Sequence, residues 1–341
     1  MSKKGTTRRG FLAKVGAAAA AALGFRRPRA AVAESPSEAT RPAVNVKAPA
    51  RVVIARDEAL ARGEVGDHVD LLTKLLDAAV QKVTRTDSAR RAWSSLFTPG
   101  DRIGIKVNTL GLSTQPAVVE AIVAGLRRAD VPAGNIIIWD RFDVELLAAG
   151  FKLAKSAGAV QCKGTDADSY GSGYQEQIEH SGRIGSCFSR ILAEEVTSLI
   201  CVPVLKDHNL AGVSLGLKNF FGAIHNPNKY HEHNCDPYIV DVVSHRFIRP
   251  KWRLTICDAT RGQYQGGPTR NPEYAWPFGG LIVGTDIVAV DAVAADLLAR
   301  QRQAKGLKSL EQEKRPPKHI ATAASRGLGT ADLAKIERIE L

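Results

Sequence analysis

The chain has little of what most readily names a function. Its five cysteines (Cys162, Cys187, Cys201, Cys235 and Cys257) are odd in number and contain no Cys-x-x-Cys pair. That pattern argues against a disulfide framework, and no iron–sulfur cluster is expected. Cys201 and Cys257 lie in apolar runs and read as buried thiols, while a bridge between Cys162 and Cys187 stays open as one pairing the sequence allows. No Gly-x-Gly-x-x-Gly, P-loop or Gly-x-Ser-x-Gly is present, which removes the usual dinucleotide, nucleotide-hydrolase and serine-hydrolase readings. No long basic run or aromatic-interleaved basic patch occurs, so nucleic acid is not an expected partner. Apolar runs long enough to span a bilayer are also missing, and no stable membrane insertion is expected.

The formal charge of +12 overstates how basic the protein is. Eight of the 47 Lys and Arg lie in the first 33 residues, which hold no acid, leaving 39 bases against 35 acids. Those 33 residues read as an address rather than as fold. Thr7-Arg8-Arg9-Gly10-Phe11-Leu12 precedes an Ala-rich run from Ala17 to Phe25 and then Ala31-Val32-Ala33, a small-residue cleavage pattern. Twin arginines followed by Phe-Leu point to the Tat translocase, with cleavage after Ala33 and a periplasmic mature protein. Residues 34–50 read as a linker, and 51–341 as a single α/β domain long enough to bury a substantial core.

Periodicity predicts a strand over Arg51–Ala55, a helix over Val69–Val83 and a strand over Arg102–Val107. A helix from Pro116 to about Asp130 and a strand over Asn135–Trp139 complete a β-α-β unit. Such units build parallel sheets, so the expected architecture is three-layer α/β/α with a mostly parallel sheet. Residues 141–190 give no clear pattern beyond a Gly/Ser/Tyr-rich surface loop at Tyr170–Tyr174. Further on, Leu199–Leu205 reads as one buried strand. A helix opening at Gly212 carries Val213, Leu217, Phe220, Phe221 and Ile224 on its core face. The remaining expectations are a helix over Pro237–Phe247, a strand over Arg253–Cys257, a long loop over Asp258–Gly280 and a strand over Leu281–Gly284. They are followed by a helix capped at Thr285-Asp286, a last helix near His319–Arg326 and an edge strand Lys335–Leu341.

Polar residues collect where strands are expected to end, which in open α/β sheets is where ligands bind. They include Lys106, Asn108, Asp140, Lys206, Asp207, His208 and Asp258. Lys106 and Lys206 are candidate anchors for a carboxylate or phosphate, and a buried lysine can also serve as a base; His208 is a candidate acid/base. Lys218 and Asn219 add a cation and an amide, and Gly266-Gly267 could offer backbone amides to an anion. His225, His231, His233 and Cys235 fall within eleven positions of one loop and are candidate ligands for zinc, nickel or iron. Asp291, in an apolar helix turn, is either a ligand-binding carboxylate or a buried acceptor that ties the helix to a loop, the commoner role.

The ordered segments GIKVN, VPVLKDH, LKNFFG, HEH, TICDAT with its Gly-Gly-Pro, and GTDIVAVDAVAADLL resemble the family called domain of unknown function 362, over roughly residues 50–340. Many members of that family carry an added ferredoxin-like cluster domain, whose motif is missing here. A weaker likeness joins Asn108–Asp140, where TLGLSTQP opens a helix, to the Thr-Arg-Pro-Thr-Pro opening in the first domain of the nickel-pincer lactate racemase family. The arginine of that motif is absent, and the shared layout implies small carboxylates as ligands. Two functions are therefore expected to compete: a metal-dependent enzyme acting on a small anionic molecule, and a non-catalytic periplasmic binding or redox-accessory protein.

Overall fold

Val52 and Ile54 face one side of a sheet while Val53 and Ala55 face the other, and all four are buried, as the period-2 geometry of a strand covered on both faces requires. The computed structural model describes residues 49–166 and 173–341. The residues read as a twin-arginine signal and cleavage site lie outside them, as do most residues of the Tyr170–Tyr174 stretch. The described strands are β1 (Ala50–Arg56), β2 (Ile103–Lys106), β3 (Ile136–Asp140), β4 (Gln161–Gly164), β5 (Glu179–Ser181), β6 (Ile184–Ser186), β7 (Ser198–Cys201), β8 (Val204–His208), β9 (Gly212–Val213), β10 (Trp252–Gln263), β11 (Ala275–Trp276), β12 (Gly280–Gly284) and β13 (Ile336–Glu340). The helices are α1 (Glu58–Ala61), α2 (Val69–Thr84), α3 (Ala89–Leu96), α4 (Pro116–Arg128), α5 (Asp143–Ala148), α6 (Leu215–Asn219), α7 (Tyr238–Val243), α8 (Ile287–Ala304) and α9 (Lys318–Ser325).

The main sheet runs β13-β1-β12-β10-β7-β2-β3-β4, and along this path only β12 is antiparallel to its neighbours. Helices α2, α3 and α4 cover one face through Leu72, Leu76, Trp93, Val118 and Ile122, while α6 to α9 cover the other through Leu217, Val240, Val288 and Ile320. This is the three-layer α/β arrangement that the β-α-β pattern predicts. The expected β2–α4–β3 unit is present, with Pro116 opening α4. Asp286 caps α8 by accepting from the Ala289 amide at 3.0 Å. All five cysteines are free thiols. Among the described residues no helix is long and apolar enough to cross a membrane.

Three expectations fail for identifiable reasons. Leu199–Leu205 is not one strand, because Pro203 has no N–H for a ladder and separates β7 from β8. Lys206, Asp207 and His208 therefore sit inside β8 rather than beyond a strand end, and all three are buried. No helix opens at Gly212. Gly212 (φ +77°) and Val213 pair back onto His208 and Asp207, so α6 begins only at Leu215 and tightens into a 3₁₀ turn at Phe220–Ala223. The five apolar residues are still all buried, supplied by a strand, a short helix and a turn in succession. Finally, Asp258–Gly280 is not one loop. β10 continues to Gln263, and β11 pairs back onto Gly262 and Gln263, so much of that polar stretch is sheet.

Candidate functional site

The carboxyl ends of β2 and β3 bring Lys106 and Asp140 together. Lys106 Nζ lies 2.6 Å from Asp140 Oδ1 and donates to the Val107 carbonyl at 2.7 Å. Asp140 also accepts from the Thr109 amide and hydroxyl, each at 2.9 Å, and from the Arg141 amide at 2.8 Å. Two buried charges are tolerated only when paired and fully hydrogen-bonded, and both conditions hold here. Asn219, from the end of α6, closes the group: its Nδ2 donates to the Lys106 carbonyl at 3.1 Å and its Oδ1 lies 3.4 Å from Lys106 Nζ. Gly222 leaves room just beyond, since a Cβ there would stand 2.8 Å from Asp140 Oδ1 and 2.9 Å from Lys106 Nζ and the pair would have to shift.

Lys206 is committed in another way. Its Nζ donates to Asn108 Oδ1 at 2.7 Å, to the Leu110 carbonyl at 2.5 Å and to the Leu112 carbonyl at 2.8 Å. Three carbonyl oxygens fill the three N–H positions of an ammonium, an arrangement that the neutral amine cannot make. Burial draws the group down to about 7, with the Asp140 charge opposing, but the acceptor set holds its proton. Lys206 therefore clamps the 108–112 loop, and its Asn108 partner is held in place too. Gly111 (φ +72°) lets this loop press on the next one, because a Cβ would meet the Pro268 carbonyl at 2.0 Å.

Four more candidates have internal partners. Asp207 accepts from the Gly267 amide at 2.7 Å and pairs with Arg315 at 3.0 Å, so that glycine's N–H is not offered to a ligand. Asp258 accepts from the Gln115 amide at 2.8 Å and from Thr260, which fixes the start of α4. Asp291 accepts from the Gly216 and Leu217 amides at 2.8 and 2.9 Å, tying α8 to the first turn of α6. That is the commoner of its two expected roles.

A further group of side chains with unused hydrogen-bonding capacity lies around Lys218. Among the described residues its Nζ has a single hydrogen-bond partner, His231 Nε2 at 3.2 Å, and it sits 4.5 Å from the centre of the Phe221 ring. Among the described residues no carboxylate lies within ion-pair range of it. Burial draws Lys218 down to about 8. His231 Nδ1 lies 3.0 Å from the Pro227 carbonyl, which can only accept, so the His231 proton is on Nδ1 and the Nε2 lone pair faces the lysine. The His208 ring stacks on His231 with centroids 5.8 Å apart. His208 Nδ1 accepts from the Leu210 and Ala211 amides at 3.1 and 3.2 Å, which places its own proton on Nε2. Burial first, then the Lys218 charge, push His208 far below the usual histidine range.

His319, on α9, completes the group and was legible in the sequence only as the start of a helix. It is wholly buried, and among the described residues neither ring nitrogen has a hydrogen-bond partner. Burial, with the Lys218 charge added, holds it down to about 3. A polar group left unpartnered in an interior costs stability, so packing alone does not explain a histidine here. The available signal was a histidine on the same helix face as Ala323, amid Ile320 and Ala324.

The four expected metal ligands are not gathered into one set. His225 is exposed and packs edge-on against Tyr174 at 5.0 Å, and His233 is exposed. His231 is engaged with Lys218. Cys235 is buried, its thiol pushed up by burial, with Sγ 3.9 Å from the His231 carbonyl. Among the described residues no three His, Cys, Asp or Glu side chains converge as a metal-holding group. A cavity of about 790 Å³ is lined by α8, α9 and residues 307–317, and one of about 340 Å³ lies beside α4; Lys218, His208, His231 and His319 are not among the residues that line them.

No curated protein matches the chain. Residues 103–296 match the family described as domain of unknown function (DUF362), a stretch that includes Lys106, Asp140, Lys206, His208, Lys218, His231 and Asp291 and leaves out His319. With more than half its length matched, the chain belongs to the domain of unknown function 362 family.

Proposed function

We propose that this protein binds a small oxyanion, a carboxylate or a phosphate, at the Lys218, His208, His231 and His319 group. One observation carries the reading: Lys218 is a buried ammonium without a carboxylate partner among the described residues, whereas Lys106 has Asp140 and Lys206 has three carbonyls. A buried cation with unfilled donor positions is stabilised by an incoming anion at low local dielectric, where each charge-assisted hydrogen bond is stronger than in water. His208, fixed with its proton on Nε2, adds a neutral donor, and His319 adds ring nitrogens free to pair. Lys106 and Lys206 are scaffold in this reading. They hold the 108–112 loop and the β2–β3 crevice in shape.

Calorimetric titration of the purified protein with oxalate and, separately, with inorganic phosphate tests it. Binding that weakens at least about tenfold in Lys218→Met but persists in Lys229→Met, an exposed lysine two residues from His231, supports the site. Equal binding by all three proteins removes it. The protein is further proposed to act in the periplasm after Tat export, a reading supported by Arg8-Arg9 and the Ala31-Val32-Ala33 pattern.

A further inference from the structure

Lys218 and His231 share the arrangement of an activated nucleophile: an amine, a base within hydrogen-bond reach of it, and a third group that orients the base. The amine is Nζ, the base is the His231 Nε2 lone pair at 3.2 Å, and the orienting group is the Pro227 carbonyl at 3.0 Å from Nδ1. The Phe221 ring lies 4.5 Å from Nζ, so part of the amine's surroundings is apolar. The other two lysines of the region cannot act in this way, since one is locked to a carboxylate and the other to three carbonyls. Lys218 is also the least enclosed of the three, 8 % exposed against 1 % for Lys106 and 0 % for Lys206.

We propose that Lys218 forms an imine with the carbonyl carbon of a small oxo acid, with His231 as the base that frees the amine. This rests on the anion-binding reading above and names the ligand class. The Lys218 ammonium passes a proton to His231 Nε2, and the freed lone pair forms a C–N bond to the carbonyl carbon while the carbonyl π pair moves to oxygen. A proton shift from nitrogen to oxygen gives the neutral carbinolamine. The His231 imidazolium then returns its proton to the hydroxyl, which leaves as water as the nitrogen lone pair closes the C=N bond. The product is a protonated imine plus water; the total charge is unchanged and no further reactant is used. The acid's carboxylate can accept from His208 Nε2–H, whose ring is hydrogen-bonded among the described residues through Nδ1 only. Burial, which draws Lys218 down to about 8, raises the fraction of free amine near neutral pH.

The test is reductive trapping on the wild-type protein. Glyoxylate or pyruvate is added with cyanoborohydride, which converts an imine to a stable secondary amine, and modified lysines are mapped by peptide mass spectrometry. The expected result is modification at Lys218 at least about tenfold above any other lysine and competed by oxalate, with His231→Phe trapping about tenfold more slowly. Lys218→Arg separates this proposal from the reading beneath it, because arginine keeps the charge but is not a nucleophile. It is expected to retain the oxalate-induced thermal shift and to give no adduct at 218. Oxalate binding without preferential trapping at Lys218 overturns the imine and leaves the anion site standing. Loss of both in the folded wild type overturns both.

Discussion

Lys218 Nζ stands 3.2 Å from His231 Nε2, so the partner of the region's least committed ammonium is a neutral ring and not a carboxylate. The three buried lysines of the region therefore differ in what they do, and the difference is measurable without any ligand.

Replacing each by methionine removes the charge and keeps the stem. Lys106→Met leaves Asp140 buried without its cation and should cost about 3–5 kcal/mol. Lys206→Met strips the donor from Asn108, Leu110 and Leu112 together and should cost about 3 kcal/mol or more. Lys218→Met gives up one hydrogen bond and a ring contact, so a loss under about 1.5 kcal/mol is expected. Denaturant unfolding of the three variants gives this order directly. A Lys218→Met variant as damaged as the other two would show that it, too, is scaffold.

His319 is the clearest conflict between stability and site. When folded it is held down to about 3 by burial, while in the unfolded chain it titrates near its ordinary value of about 6.5. Between those values the unfolded state binds more protons, so this contribution is complete above about pH 6.5 and is lost as pH falls toward about 3. His319→Leu removes both the unpartnered nitrogens and the titration. The variant should be at least as stable as wild type at pH 7, and its stability should fall by about 2 kcal/mol less between pH 7 and pH 5. Parallel acid limbs for the two proteins would mean that His319 does not remain neutral. If it lines the anion site as proposed, the more stable variant also binds oxalate more weakly.

The proposed export would rest on Arg8 and Arg9 as a pair of fixed guanidinium forks that lysine cannot reproduce geometrically. Changing Arg8 and Arg9 together to lysine should leave precursor in the cytoplasm, and the normal mature protein should begin at Glu34. Cell fractionation with N-terminal sequencing checks both. Undiminished export of the double variant would show that these residues are not a twin-arginine signal.

Much of the fold was legible because it depends on periodicity. Val69–Thr84, Pro116–Arg128 and Ile287–Ala304 bury the faces their spacing predicts, and β2–α4–β3 follows from them. What misled was a single residue whose effect is local: Pro203 splits an apolar run that hydropathy reads as continuous. Gly212 likewise turns an apparent helix face into a strand return. At the site, sequence could show that Lys106, Lys206 and Lys218 are near buried elements, but not which of them has its donors filled. That depends on carbonyls of the 108–112 loop and on Asp140, contributed from other elements. His319 lies about a hundred positions after Lys218 in sequence, and only the packing of α9 on the layer of α6 to α8 makes it part of the group. The four-ligand metal expectation treated closeness in sequence as closeness in space. His225 and His231 flank a 3₁₀ turn, Pro227–Tyr230, and make separate contacts.

The central claim is that Lys218 awaits an anion, and oxalate titration by calorimetry at pH 7 tests it most directly, comparing wild type with Lys218→Met and Lys218→Arg. The account predicts saturable binding to wild type, weakening of at least about tenfold in Lys218→Met, and retention within a few-fold in Lys218→Arg. Indistinguishable affinities for wild type and Lys218→Met, with both proteins folded, would contradict it.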